Sequence, residues 1–462
     1  MNNSLFKLDL IRPLIYILVV LCAIIAVMPG TEAGESDWLL KFDYFLSFLI
    51  SPVIAVLALF IFILKYPKLV RQDVITNKAY ISASILVCLV ILLSYVVNGV
   101  HSKETFTSAI NFAGMSLFLL LVVRRFATEK VIWWSTRILA VWSILPLFAL
   151  LTPDFQEYVL QIPCDFQGLA DGRLLYGFWC GVGLILLINS ASNTPWGKRA
   201  IFIAISLAWV GLVFSRSRAS MAAIALSLVV LCFYENWQSI RRIIVLSLWL
   251  ISIYLIAFTA WQTACANGLE RPYEMDYSTS IPRWKFSTKD NVERTSILTI
   301  LWKSFGIEDN ELKNIKIEFN HKVDYEDPTR SRIYSLFWQD VQENWLIGHG
   351  KMNLIHVPGA GADGKGAEAE AHNLFLQFLS NYGVVALAAF LFWLMAFYLT
   401  LQNHLARMLF VYLIVYSQFQ PVFGGTTNMF AVIPMLVFLL IMAADGKCSK
   451  HNTGPFQMPR FT

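Results

Sequence analysis

Runs of roughly twenty apolar residues recur along almost the whole chain, and no other feature narrows the possible folds so far. Twelve are read, at about 14–28, 39–64, 79–97, 109–123, 131–151, 174–190, 200–214, 219–234, 243–262, 374–401, 406–422 and 427–444. As helix, ~20 such residues cross the ~30 Å hydrocarbon layer of a bilayer. The alternation of apolar and polar residues that a spanning barrel needs is not seen, so backbone groups in the layer have to be satisfied inside helices. Composition agrees: of 462 residues, 57% are hydrophobic and 15% charged, with a mean hydropathy of +0.59. That is more apolar surface than a soluble fold can hide. The expected fold is an all-α polytopic membrane protein of about 12 transmembrane helices. Leu14–Met28 has the apolar character of a signal-peptide core, but no small-residue cleavage site follows it, so it reads as an anchor. The seven cysteines follow no metal or redox spacing.

The connectors alternate in charge. Lys7 and Arg12, the segment 65–78, Arg124-Arg125, Lys198-Arg199, Arg241-Arg242, Arg407 and a tail with Lys447, Lys450 and Arg460 fall on one side. By the positive-inside rule that side is the cytoplasm, and twelve crossings put both termini there. The other side receives TEAGESDW, NGVHSKETFTS, an acidic loop at 152–173, the short turn FSRSRAS, a long loop at 263–371, and GGTTN. The chain divides accordingly into helices one to nine (1–262), the large loop (263–371), helices ten to twelve (372–444) and a cytoplasmic tail (445–462). Cys164 and Cys265 both fall on the outer side, which leaves a disulfide between them open.

Two features break the pattern. The long loop carries 13 Lys+Arg against 17 Asp+Glu, a net −4 in a chain whose remainder is +9, and reads as a folded extracytoplasmic element with short amphipathic helices. Arg216 and Arg218 lie in a turn of a few residues on the acidic side, against the topology signal. They either snorkel to outer-leaflet phosphates or form an anion site.

Within the loop, 263–326 is mixed and aromatic without a recognisable motif. From Tyr334 to Ile347, Leu336, Phe337, Val341 and Trp345 fall at helical spacing, which predicts an amphipathic helix with Arg330 and Arg332 at its start. Guanidinium groups beside free helix N–H groups suit phosphate oxygens, although paired arginines on a solvated helix end are also commonplace. Pro358–Ala371 is Gly/Ala-rich and reads as a mobile strap. It has no phosphate-loop motif and no preceding strand, so it does not read as a nucleotide-binding loop. His372-Asn373 opens the tenth apolar run at the membrane–water boundary. An imidazole there either accepts a proton from a substrate hydroxyl or caps the helix. The chain shows no internal duplication and few ionisable residues inside its apolar runs, which argues against an ion-coupled carrier.

R-x-x-x-[Y/W] at Arg330/Tyr334, E-N-x-L-I-G-x-G at Glu343–Gly350, and A-H-N-L-x-L-Q-x-L at Ala371–Leu379 followed by Gly383 resemble the signature region of the O-antigen ligase and O-antigen polymerase superfamily. The spacing of His372, Asn373 and Gly383 is similar to the ligases in particular, and F-S-R-S-R-A-S resembles the family's short arginine loop with Arg218 best matched. Trp345 stands where the family usually has proline, Ala386 where it commonly has glycine, and Ala222 where it has leucine.

The resemblance implies a bacterial inner-membrane glycosyltransferase with its large loop and active site in the periplasm, working without metal or other cofactor. Its donor would be a glycan on undecaprenyl diphosphate and its acceptor a sugar hydroxyl of lipid A-core; membrane lipids surround it, and nucleic acid plays no part. Arg218 and Arg330 or Arg332 would clamp the diphosphate, Arg216 and Asn373 would assist, and His372 would take the hydroxyl proton. A polymerase joining lipid-linked repeat units, or transfer of an oligosaccharide to protein, would use the same residues. A flippase of lipid-linked oligosaccharide is the reading from a different class. Subunit number is not legible.

Overall fold

A computed structural model describes residues 11–27, 51–99, 103–127, 129–150, 166, 173–190, 194–233, 237–264, 273–276, 283–286, 330–351, 354–357, 367–369, 371–419 and 432–446. The acidic connector TEAGESDW, GGTTN, the basic tail, Cys164, Cys265 and all but a few residues of 263–326 lie outside these.

In chain order the helices are α1 (Ile11–Val27), α2 (Ser51–Lys65), α3 (Pro67–Thr76), α4 (Lys78–Val97), α5 (Lys103–Phe118), α6 (Glu129–Ala149), α7 (Arg173–Ile188), α8 (Pro195–Phe214), α9 (Arg218–Cys232) and α10 (Trp237–Ala264). Strands β1 (Tyr273–Asp276) and β2 (Arg283–Phe286) come next, then α11 (Arg330–Glu343), β3 (Ile355–Val357), β4 (Ala367–Ala369), α12 (Leu374–Thr400), α13 (His404–Tyr416) and α14 (Val432–Gly446). Each of the twelve apolar runs carries a helix. Among the described residues six helical stretches are long and apolar enough to cross a membrane, seven if one bent pair counts as a span. The protein is a helical, polytopic membrane protein.

Three local departures from the expectation have physical causes. The segment 65–78, read as a connector, folds as α3 and turns 108° from α2. Pro67 has no N–H to continue α2 but suits the first turn of a new helix, and Lys68 and Arg71 cannot follow the apolar run. The chain after α5 runs through a π-helical segment, Leu119–Val123, whose five residues are all buried. The large loop is not all-α: β1 pairs antiparallel with β2, and β3 with β4, with Ile355 opposite Ala369 and Val357 opposite Ala367. The last part of the expected strap is thus a strand; 358–366 lie outside the described residues.

The chain forms two compact units, the first drawn from Met1–Ala26, Trp38–Trp133 and Glu326–Thr453, the second from Val27–Asp37, Trp134–Tyr325 and Gly454–Thr462. The first is centred on Trp393 of α12. Its ring lies 4.9 Å from Phe112 of α5, 5.9 Å from Tyr80 of α4 and 6.1 Å from Phe438 of α14, and its indole N–H donates to Ser84 Oγ at 3.1 Å. Large rings on four helices bury much apolar area and fix the helix rotations, because ring pairs prefer tilted and edge geometries.

One end of this unit is tied by ion pairs. Arg125 grips Asp73 with two hydrogen bonds of 2.8 and 2.7 Å. Arg124 pairs with buried Asp445 at 2.8 Å and donates to the Thr400 carbonyl at 3.0 Å, while Asp445 also accepts from the amides of Gln402 and Asn403. Segments 65–78, 124–125 and 401–407 therefore gather at one end, as the charge alternation expects of them.

The second unit packs α7, α8, α9 and α10 around Phe214 and Trp261, whose rings stack at 4.5 Å. Trp209 ties α8 to α10 by donating to the Leu250 carbonyl at 2.8 Å.

Candidate active site

The candidate residues fall in two groups, one in each unit. In the first, everything turns on a break in α12. Gly383 has φ 79° and ψ 178°, a conformation that only glycine adopts readily. The break releases backbone groups that a continuous helix would pair, and the segment after α11 takes them up: Val384 N–H donates to the Trp345 carbonyl at 2.8 Å, His349 N–H to Ser380 at 3.2 Å and Gly350 N–H to Asn381 at 2.8 Å. Contact is backbone against backbone. A Cβ on Gly348, itself at φ 67°, would sit 2.5 Å from the amides of Tyr382 and Gly383, and one on Gly383 would collide with the Leu346 carbonyl and Ile347 nitrogen. The far side of this segment is held by α4, where Ser94 Oγ donates to the Ile347 carbonyl.

α11 was expected to bury Leu336, Phe337, Val341 and Trp345. It ends at Glu343, and the buried stripe is Ile333, Phe337 and Val341. Leu336 is partly buried, and Trp345 lies beyond the helix with its side chain 57% exposed, because docking on the α12 break turns the chain there. Asp340 shares the inward face. Its carboxylate accepts from Ser380 Oγ at 2.8 Å and meets His349 Nε2 at 2.9 Å. Neither Asp340 nor Ser380 stands out in the sequence by motif; a carboxylate on an apolar stripe was the available signal.

His372 sits where α11 and α12 meet. Ile333 and Phe337 pack with Ala371, and Leu376 joins the same cluster. The chain on both sides of His372 is tied: Ala371 N–H donates to buried Gln377 Oε1 at 2.8 Å, and, two residues after the histidine, Leu374 N–H donates to the Ser417 carbonyl at 3.0 Å. Between them His372 is held at φ 49°, in a region that side-chain-bearing residues rarely occupy. It is not the helix cap. Asn373 caps α12, with Oδ1 accepting from Leu376 N–H at 2.9 Å and Nδ2 donating to the Gln418 carbonyl at 3.2 Å. Arg330 and Arg332 occupy the first turn of α11, one turn or less from Ile333. An open cleft of about 640 Å³ runs between α11 and the start of α12, lined by Tyr334, Ser335, Trp338, Gln339, Gln342, Asn373 and Leu376.

The second group is the turn between α8 and α9. Ser215, Ser217 and Ser220 are buried, Arg216 is half-buried and Arg218 exposed. Arg216 has φ 52°, and Arg218 is the first residue of α9. Ser217 and Ser220 share a hydrogen bond of 2.9 Å, and Ser215 Oγ donates to the Leu212 carbonyl at 2.7 Å. Gly177 of α7 makes room for this, since a Cβ there would strike Ser217 and come 2.9 Å from Ser215 Oγ. The alternation of serine and arginine thus has a meaning: small hydroxyls anchor the turn and the guanidinium-bearing residues occupy the less buried positions. Among the described residues, no three His, Cys, Asp or Glu side chains gather closely enough to hold a metal ion.

Residues 203–391 match a family model described as O-antigen ligase. That match, over less than half of the chain, supports a relationship to the O-antigen ligase superfamily. The superfamily is one of glycosyltransferase-like enzymes of the ligase and polymerase type. The matched stretch begins inside α8 and ends inside α12, so it includes Arg216, Arg218, Arg330, Arg332, His372 and Asn373. No curated protein matches the chain.

Proposed function

We propose that the protein is an O-antigen ligase-type glycosyltransferase that moves a glycan from undecaprenyl diphosphate to a sugar hydroxyl of lipid A-core. The observation that carries the reading is His372, held in a left-handed conformation between two anchored residues inside the family-matched stretch. Backbone strain of this kind persists only where the surroundings over-determine it, and it clusters where a side chain must be aimed.

In the proposed reaction the acceptor oxygen attacks the anomeric carbon of the donor sugar. The bond from that carbon to the diphosphate oxygen breaks, undecaprenyl diphosphate leaves with the electron pair, and the acceptor's proton passes to the His372 imidazole. Arg218 and Arg330 or Arg332 neutralise charge that grows on the leaving diphosphate, with Arg216 in support; guanidinium forks suit this work, and no metal is required. Asn373 positions His372 by capping α12 and holding Gln418.

The reading includes the twelve-span layout, with 263–371 as the periplasmic loop between helices one to nine and ten to twelve, and both termini in the cytoplasm of an inner-membrane protein. The test is reconstitution with undecaprenyl-diphosphate-linked glycan and rough lipopolysaccharide, with products separated on a gel. Glycan on lipid A-core is expected, and H372A, R218A and R330A proteins should insert yet transfer nothing. Elongation of lipid-linked glycan with bare core would instead make the protein a polymerase, and normal transfer by H372A would remove the base from the mechanism.

A further inference from the structure

α11 presents two faces of different chemistry. One is the buried stripe that docks on α12. The other repeats at one-turn spacing as Tyr334, Trp338 and Gln342, flanked by Ser335 and Gln339, and it lines the cleft opposite Asn373. Among the described residues this lining has two aromatic rings, two hydroxyls and three primary amides, and no formal charge. Asp340 and Glu343, the charged residues of α11 whose side chains are described, are not among those lining it. Trp338 is 54% exposed although its neighbour Phe337 is fully buried.

A lipid-facing stripe looks different in the same unit. On α4 the exposed positions are Ile85, Leu86, Leu89, Leu93, Val96 and Val97, and on α12 they include Leu391, Phe392, Met395 and Leu399. Acyl chains would leave the amides of Gln339 and Gln342 without partners, at a cost for each. A purely solvated face would carry charges, as this helix does elsewhere. An aromatic ring bordered by amides suits a ligand with one apolar C–H face and a rim of neutral hydroxyls. Each amide offers a donor and an acceptor to neighbouring hydroxyls, while the indole stacks on the C–H face. A cleft of about 640 Å³ is within the size range of small-ligand sites.

We propose that Trp338, Tyr334, Ser335, Gln339 and Gln342, with Asn373 across the cleft, form a subsite for an uncharged pyranose ring, with Trp338 as the stacking platform. The assignment rests on the glycosyltransferase reading for the identity of the sugar, which belongs either to the acceptor core or to the donor glycan. Because Asn373 follows His372, the acceptor is the expected source.

The test uses the full-length protein in lipid nanodiscs and two lipid-free probes: core oligosaccharide released from lipopolysaccharide, and O-chain oligosaccharide. Saturation-transfer NMR is expected to show core oligosaccharide bound by the wild type. W338A should weaken it roughly tenfold, as expected for one lost aromatic contact, and W338F should retain most of it. The pair Q339L/Q342L preserves helix and apolar area and should also weaken binding. In the transfer assay W338A should raise KM for lipid A-core by a similar factor while kcat and the donor KM hold. If the donor KM rises instead, and only the O-chain probe binds, the subsite stands with the donor as its sugar. Probe binding that depends on Trp338 in a protein without transfer activity would uphold the subsite and overturn the transferase reading. Transfer by W338A and Q339L/Q342L proteins with wild-type KM values would overturn the subsite alone. So would quenching of the Trp338-dependent fluorescence by brominated lipid, which would mark a face turned to acyl chains.

Discussion

Replacing Gly383 by alanine should detach the segment 344–351 from α12 without unfolding the helix. At φ 79° and ψ 178° the added Cβ lies in a region that costs a substituted residue about 1–3 kcal/mol. It would also collide with the Leu346 carbonyl and Ile347 nitrogen, backbone atoms that cannot rotate away. Moving them forfeits the hydrogen bonds from Val384, His349 and Gly350, worth about 1 kcal/mol net each. The total penalty for keeping the docked arrangement is then about 4–6 kcal/mol. The chain has a cheaper course: alanine favours helix, α12 straightens, and its own i to i−4 bonds replace those to the segment. Hydrogen exchange followed by mass spectrometry on the purified protein reads this directly. Amides in 344–351 should exchange at least ~10³-fold faster in G383A, since each 1.4 kcal/mol is a factor of ten. Those of 386–400, beside the Trp393 cluster, should keep their protection. Unchanged exchange at His349 and Gly350 would refute the reasoning, because it would mean the break does not depend on the missing Cβ.

Two further substitutions probe the supports of the same unit. D340N should lower the melting temperature by an amount equivalent to about 1–2 kcal/mol, and S380A should add little to it, since Ser380 donates to that carboxylate; additive losses in a double-mutant cycle would show the two are independent. D445A should cost about 3–5 kcal/mol, because it leaves the Arg124 guanidinium uncompensated in a buried setting. D445A/R124L should recover part of the loss in a thermal-melt assay, and failure to recover any would shift the weight to the Gln402 and Asn403 amides.

Much of this arrangement was legible in the residues. Apolar runs marked where helices lie, because burial in lipid or in a helical core demands a continuous hydrophobic surface. The odd arginines at 216 and 218, the glycines at 348 and 350 and the pair His372-Asn373 stood out as departures from that surface. The length of the helices was less legible: α9 and α13 are shorter than a bilayer crossing by themselves, and α2 gives way to α3 at one proline. The buried stripe of α11 was expected from Leu336 to Trp345 and runs instead from Ile333 to Val341, three residues earlier at its start and four at its end, since periodicity does not report where a chain is pulled aside.

By itself the sequence determined the class of protein, the helix order, the gathering of three basic connectors of the first unit and the types of group available for chemistry. These depend on side-chain character, which a sequence states outright. Only the tertiary structure decided that Gly383 breaks α12, that Gly348 lies against it, that Asn373 and not His372 caps the helix, and that Asp340 joins His349 to Ser380. Those outcomes are contacts of backbone with backbone, or of polar atoms whose meeting depends on how the chain turns between them. A glycine states that space is needed, and nothing in its neighbours along the chain says what will fill it.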